Sequence, residues 1–109
     1  MVDKNLNLVM TTKIKNQNIN LNNMSFKNLP SNQIKDGIQY LAFYPNGYGA
    51  SIVQHKFSYG GKIRLWELAV IKGTEEEWNI CYDTPITSDV LGYLEEAEVD
   101  ELLTKIETL

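Results

Sequence analysis

Residues 44–53 read YPNGYGASIV. Asn46-Gly47 stands here between two apolar, strand-forming runs, and this dipeptide accepts the positive φ angles that a tight hairpin turn needs. Working outward, residues 38–44 (IQYLAFY) make a first strand, with Leu41 and Phe43 on one face and Ile38, Tyr40, Ala42 and Tyr44 on the other. Residues 50–57 (ASIVQHKF) make the second. Gly60-Gly61 supplies the backbone freedom for the next reversal, over residues 58–62. Residues 64–72 (RLWELAVIK) make a third strand whose apolar residues fall on both faces, Trp66, Leu68 and Val70 against Leu65, Ala69 and Ile71. Such a pattern suits a central strand covered on two sides.

After a charged loop over residues 73–77 (GTEEE), residues 78–84 (WNICYDT) make a fourth strand, ended by Pro85. Residues 84–89 form an ordered loop, and residues 90–94 are either a short strand or the first turn of a helix. From Glu95 the period becomes helical: Val99, Leu102, Leu103, Ile106 and Leu109 form one apolar stripe on an acidic helix. Glu95, Glu96 and Glu98 lie in its first turn, where the positive end of the helix dipole favours them. The expected fold is α+β: about four antiparallel strands in meander order, packed against one C-terminal helix. Residues 1–33 are rich in asparagine and sparse in apolar side chains, which predicts a largely mobile N-terminal arm ahead of a single domain over residues 34–109. Within that arm, residues 18–21 alternate polar and apolar as an edge strand does, and MSFKNLP from Met24 reads as the start of the ordered part.

A chain of 109 residues with 43% hydrophobic content has room for one domain and one modest core. Its single cysteine, Cys81, excludes an intramolecular disulfide and a multi-cysteine zinc site, and fits a reducing cytosol. The N-terminal residues lack the continuous apolar core of a signal peptide, and no apolar run is long enough to span a bilayer. A cytoplasmic protein without membrane contact is therefore expected. The net charge of −4 hides an asymmetry, since residues 1–72 carry a net +6 and residues 73–109 a net −10. The acidic last third suits either a solvated helix face or an anionic surface offered to a basic partner.

No constellation of catalytic or metal-binding residues is evident. His55 is the only histidine and has no second ligand at metal-binding spacing. Cys81 lacks a base placed to activate it, so a hydrolase built on His55 with Cys81 or Asp83 is disfavoured. The glycines of residues 46–49 and 59–62 join strands, and neither a P-loop nor a dinucleotide fingerprint is present. Asp83, Asp89 and Glu75 to Glu77 lack the alternation of a calcium loop, and Asp89 reads as a cap on the C-terminal segment. No cofactor and no metal is expected. Tyr44, Tyr48, Tyr59, Lys62 and Arg64 are better suited to contact with a protein, because tyrosine and arginine bury area while keeping a hydrogen-bonding end. The two hairpin turns close opposite ends of the meander, so Tyr59, Lys62 and Arg64 are the set that gathers at one tip. The cations are too few, in an acidic chain, for a direct nucleic-acid surface.

The blocks FYPNGYGASIV (43–53), SYGG (58–61), LWELAV (65–70) and CYDTPITSDV (81–90), with the closing LLTKIETL, together resemble a group of small uncharacterised proteins carried by bacteriophages and prophages. The resemblance covers about residues 24–109 and implies a context, a phage-encoded protein in a bacterial cytoplasm, without an activity or functional residues to transfer. The expectation is a non-enzymatic binding protein that modulates or inhibits a host protein. One class of such target is a nucleic-acid-binding defence nuclease, as for an anti-CRISPR factor. Its contacts would be Tyr59, Lys62 and Arg64 at the tip and Glu96, Asp100 and Glu101 on the helix. The alternative is a domain binding a nucleotide-like small molecule between glycine turns and tyrosines. Exposed sheet edges leave a homodimer open.

Overall fold

The computed structural model describes residues 25–109. The central hairpin joins β2 (Gly37–Phe43) to β3 (Tyr48–His55). Its connection is longer than a two-residue turn. Gly47 N–H donates to the Tyr44 carbonyl at 3.0 Å and Tyr44 N–H to the Tyr48 carbonyl at 2.8 Å, and Gly47 alone of the turn residues has a positive φ, +88°. Pro45 explains the difference: its ring fixes φ near −65° at the first central position, which suits a type I turn followed by a left-handed glycine.

The strand count rises from the expected four to six. β1 (Ser31–Ile34) pairs antiparallel with β2 through the turn at Lys35-Asp36. It falls in the stretch expected to be arm, because an exposed edge strand is held by backbone pairing and carries no apolar alternation. β3 pairs with β4 (Trp66–Gly73), whose other edge is shared by two short strands. β5 (Trp78–Ile80) pairs along Ile71–Gly73, and β6 (Leu91–Leu94) pairs along Trp66–Leu68 with an irregular register. Residues 90–94 thus resolve as a strand. The expected edge strand at residues 18–21, with the rest of residues 1–24, lies outside the described residues. Among the described residues no helix is long and apolar enough to cross a membrane.

α1 (Glu96–Glu107) lies across one face of this sheet. Its N-terminus is closed by a capping box in which Glu95 N–H donates to Glu98 Oε1 at 2.9 Å and the Glu95 side chain accepts from the Glu98 backbone. Asp89 is not the helix cap; its carboxylate accepts from Val90 N–H at 2.7 Å, six residues earlier than the cap in the chain. Val99, Leu103 and Ile106 are buried against Tyr40, Ala42, Ala50, Ile52, Trp66, Leu68 and Val70, as the helical stripe and the strand faces require.

Phe26 joins this core from outside the expected domain. It sits in a 3-10 turn (Phe26–Asn28), is 2% exposed, and meets Tyr40 and Trp66 edge-on with ring centroids 5.3 and 4.9 Å apart. Burying such a ring contributes about 2–3 kcal/mol, with about 0.5–1.5 more for the aromatic geometry. The helix holds the turn in place: Phe26 N–H donates to Asp100 Oδ1 at 2.9 Å, and Lys27 pairs with Glu96 at 2.6 Å. The ordered domain therefore begins at least eight residues before residue 34, close to the MSFKNLP start.

Candidate functional site

The end of the sheet where β3 leaves and β4 enters collects exposed apolar side chains. The connecting loop puts Phe57, Tyr59 and Ile63 into solvent at 74, 58 and 65% exposure, and Tyr93 on β6 joins them at 61%. The loop itself is closely tied. Ser58 Oγ accepts from His55 N–H and donates to the His55 carbonyl, both at 2.9 Å. Gly60, at φ +91°, lets its carbonyl accept from both Ile63 and Leu65 N–H, and Arg64 N–H closes on the Gly61 carbonyl at 3.1 Å. With most of its backbone N–H groups bonded within the chain, the loop turns Phe57, Tyr59 and Ile63 outward.

Tyr59 and Tyr93 are brought together by backbone. Tyr93 N–H donates to the Tyr59 carbonyl at 3.1 Å, and Tyr59 N–H donates to Glu67 Oε1 at 2.8 Å. Gly92 lies against the Tyr59 side chain so closely that a Cβ there would come within 2.4 Å of it. Two non-glycine residues of this tip, Arg64 at φ +67° and Tyr93 at φ +57°, occupy the left-handed region. That conformation costs about 1–2 kcal/mol for an L-residue. Around the apolar centre stand Lys56, Lys62 and Arg64, all exposed, and none makes an ion pair among the described residues. Lys56 lies over the Phe57 ring, 5.5 Å from its centroid. A shallow hollow lined by Lys56, Phe57, Lys62, Ile63 and Tyr93 opens here, about 360 Å³ in volume.

Tyr59, Lys62 and Arg64 thus share one tip, as the meander predicts, while Tyr44 and Tyr48 lie at the opposite end. The sequence reading missed the apolar half of the tip. Phe57 is placed beyond the strand it was assigned to, and Tyr93 reaches the loop only through a pairing between residues 34 apart in the chain. Ile63 carried a usable signal, an apolar residue two positions after Gly60-Gly61, within the reversal.

The helix acids have a different setting. Glu96 is bound to Lys27, whose charged form is favoured by that hydrogen bond and charge, and Asp100 accepts the Phe26 amide. Two of the three acids expected to meet a partner are engaged within the chain, and Glu101 alone points to solvent without such a contact. At the far end of the helix, Tyr44 is packed against the core, where burial pushes its phenol well above the usual range and Glu107 and Asp100 push the same way.

His55 and Cys81 do not form a dyad. Cys81 continues the β5 ladder opposite Val70, and its thiol donates to Asp83 Oδ1 at 2.9 Å. His55 lies five residues along β3 from Ala50, the partner of Val70, so the two are separated by about 17 Å along the sheet. His55 Nδ1 accepts from Phe57 N–H at 3.1 Å, which fixes the start of the tip loop. Among the described residues no three His, Cys, Asp or Glu side chains gather where they could hold a metal ion. Compared with protein-family models, with curated proteins and with solved structures, the chain finds no match in any of the three.

Proposed function

We propose that this is a phage-encoded, non-enzymatic binding protein that modulates a protein of its bacterial host, and that the Phe57, Tyr59, Ile63, Tyr93 tip is its contact surface. One observation carries the reading. Four large apolar side chains, each more than half exposed, gather at one end of the sheet, three on a loop held by backbone hydrogen bonds and Tyr93 on the adjoining β6. Aromatic anchors presented on a rigid loop lose little entropy on binding, which is how a small surface reaches useful affinity. At about 100 Å² each, the four supply on the order of 400 Å², half of one side of a standard interface. Lys56, Lys62 and Arg64 make no ion pair among the described residues, which leaves their charge available to steer an acidic partner surface onto the tip. Glu101 is left as the helix residue able to join the contact, with Glu96 and Asp100 contributing through the fold.

The hollow at the same tip supports a second reading. Two lysines beside two aromatic rings suit the anionic and planar parts of a nucleotide-like ligand. Native mass spectrometry of the tagged full chain, purified from lysate of a bacterial host, separates the two. A stoichiometric host protein supports the first reading, a bound small mass the second, and a bare chain sinks both.

A further inference from the structure

The large apolar side chains exposed among the described residues fall into two groups. One is the tip. The other is Ile80 and Tyr82, 41 and 53% exposed at the outer edge of β5, where an open hollow of about 600 Å³ is lined also by Lys72, Asn79, Cys81 and Asp83. The groups lie toward opposite ends of β4: Trp66, where the tip loop enters the strand, stands about 17 Å along it from Ile71, the register partner of Ile80. Their charged surroundings are opposite in sign. At the tip, Lys56, Lys62 and Arg64 outnumber Glu67, whose carboxylate holds the Tyr59 amide, and Lys35 and Asp36 of the adjoining turn cancel. Beside Ile80 and Tyr82 stand Asp83 and the exposed Glu75, Glu76 and Glu77 of the β4–β5 turn, a turn closed by backbone bonds between Thr74 and Glu77 at 2.9 and 3.1 Å. Lys72 is the cation among them, and it lies over the Tyr48 ring, 5.2 Å from its centroid.

We infer that the tip of one copy of the chain docks on the β5 edge of a second copy, head to tail. Each apolar patch then covers the other and the basic rim meets the acidic one, whereas tip on tip or edge on edge brings like charges together. The two surfaces differ and lie apart on one molecule, so the contact is heterologous: a copy bound at its tip still offers its own edge, and association continues past a pair unless a ring closes. At about 100 Å² each, the six side chains bury on the order of 600 Å², below the ~1,200 Å² of stable complexes, so the contact is transient and fills only at high concentration. It also covers the surface proposed to meet a host protein, so a second copy and that protein compete for the tip.

Sedimentation velocity on the full chain, from low micromolar to several hundred micromolar, tests this. The weight-average mass of wild type is expected to rise with concentration at low salt and to fall back toward the monomer in high salt. Ile63→Asp at the tip and Tyr82→Lys at the β5 edge, both at exposed positions and checked as folded by far-UV circular dichroism, should each hold the chain as a monomer. Mixed in equal amounts, the two variants should recover a pair, because the first keeps its edge and the second its tip. A wild-type chain that stays monomeric throughout overturns the inference. So does association that survives in either folded variant, or a mixture of the two that stays monomeric, which is the result for a twofold contact of tip with tip. No host protein enters the experiment, so its failure leaves the host-protein reading standing.

Discussion

Replacing Asn46 tests how the hairpin and the helix are joined. Its side-chain amide donates toward the carbonyls of Ile106, Glu107 and Leu109 at 3.0, 3.1 and 3.2 Å, while its Oδ1 accepts from Tyr48 N–H at 3.0 Å. One side chain thus shapes the turn and caps the end of α1, where carbonyls lack partners within the helix. Two amide protons can make two good bonds at a time, worth about 1 kcal/mol each, partly offset by water at an exposed site. Asn46→Ala should therefore cost about 1.5–2 kcal/mol, a fall in Tm on the order of 10 °C. Asn46→Asp keeps the acceptor for Tyr48 but turns a carboxylate toward helix carbonyls at the negative end of the dipole, so at neutral pH it should cost about 0.5 kcal/mol more than alanine. Urea melts of the three proteins give the ordering, and hydrogen exchange should show faster opening of the last helical turn. An alanine variant within about 0.5 kcal/mol of wild type, or an aspartate variant more stable than alanine, would refute the reasoning.

Asp100→Ala leaves the Phe26 amide without its carboxylate acceptor and should cost about 1.5–2 kcal/mol by chemical denaturation, whereas Glu96→Gln, in an exposed pair, should change little. Phe26→Ala should cost about 3–5 kcal/mol, a loss that residues of a loose arm would not show. The Tyr44 phenol is harder to ionise in the folded than in the unfolded chain, so its contribution is complete below about pH 10 and declines as pH rises beyond it. Alkaline denaturation should accordingly be shallower in Tyr44→Phe than in wild type; equal slopes would contradict the burial. Arg64→Gly relieves a left-handed backbone and should stabilise by up to about 1 kcal/mol in thermal melts while weakening partner binding.

The parts of the fold legible in the sequence are those set by local rules. Asn46-Gly47 located the hairpin, the period of Val99, Leu103 and Ile106 located the helix, and alternation separated Tyr40 and Ala42 from Leu41 and Phe43 on opposite faces of the strand, while only the fold shows that the first pair lies under the helix. What escaped depends on partners distant in sequence. β1 is polar because its edge is held by hydrogen bonds to β2 alone, and Phe26 is core only because Tyr40, Trp66 and Asp100 surround it. Asn46 was legible as a turn residue and not as a helix cap, since the carbonyls it serves lie at least 60 residues away. The two apolar faces of β4 were legible, but their cover was not: one helix closes one face. The tip was half legible for the same reason, with Tyr59, Lys62 and Arg64 sharing a loop while Tyr93 arrives from β6.

The central claim is that the tip is the contact surface, and paired surface variants test it most directly. Tagged wild type, an Ile63→Asp/Tyr93→Ser tip variant and a Glu101→Gln helix variant, each verified as folded, would be purified in parallel from the same bacterial lysate and weighed by native mass spectrometry. The account predicts a stoichiometric host protein on wild type, little change with the helix variant, and its loss with the tip variant. A host protein that remains on the tip variant at full stoichiometry would contradict it.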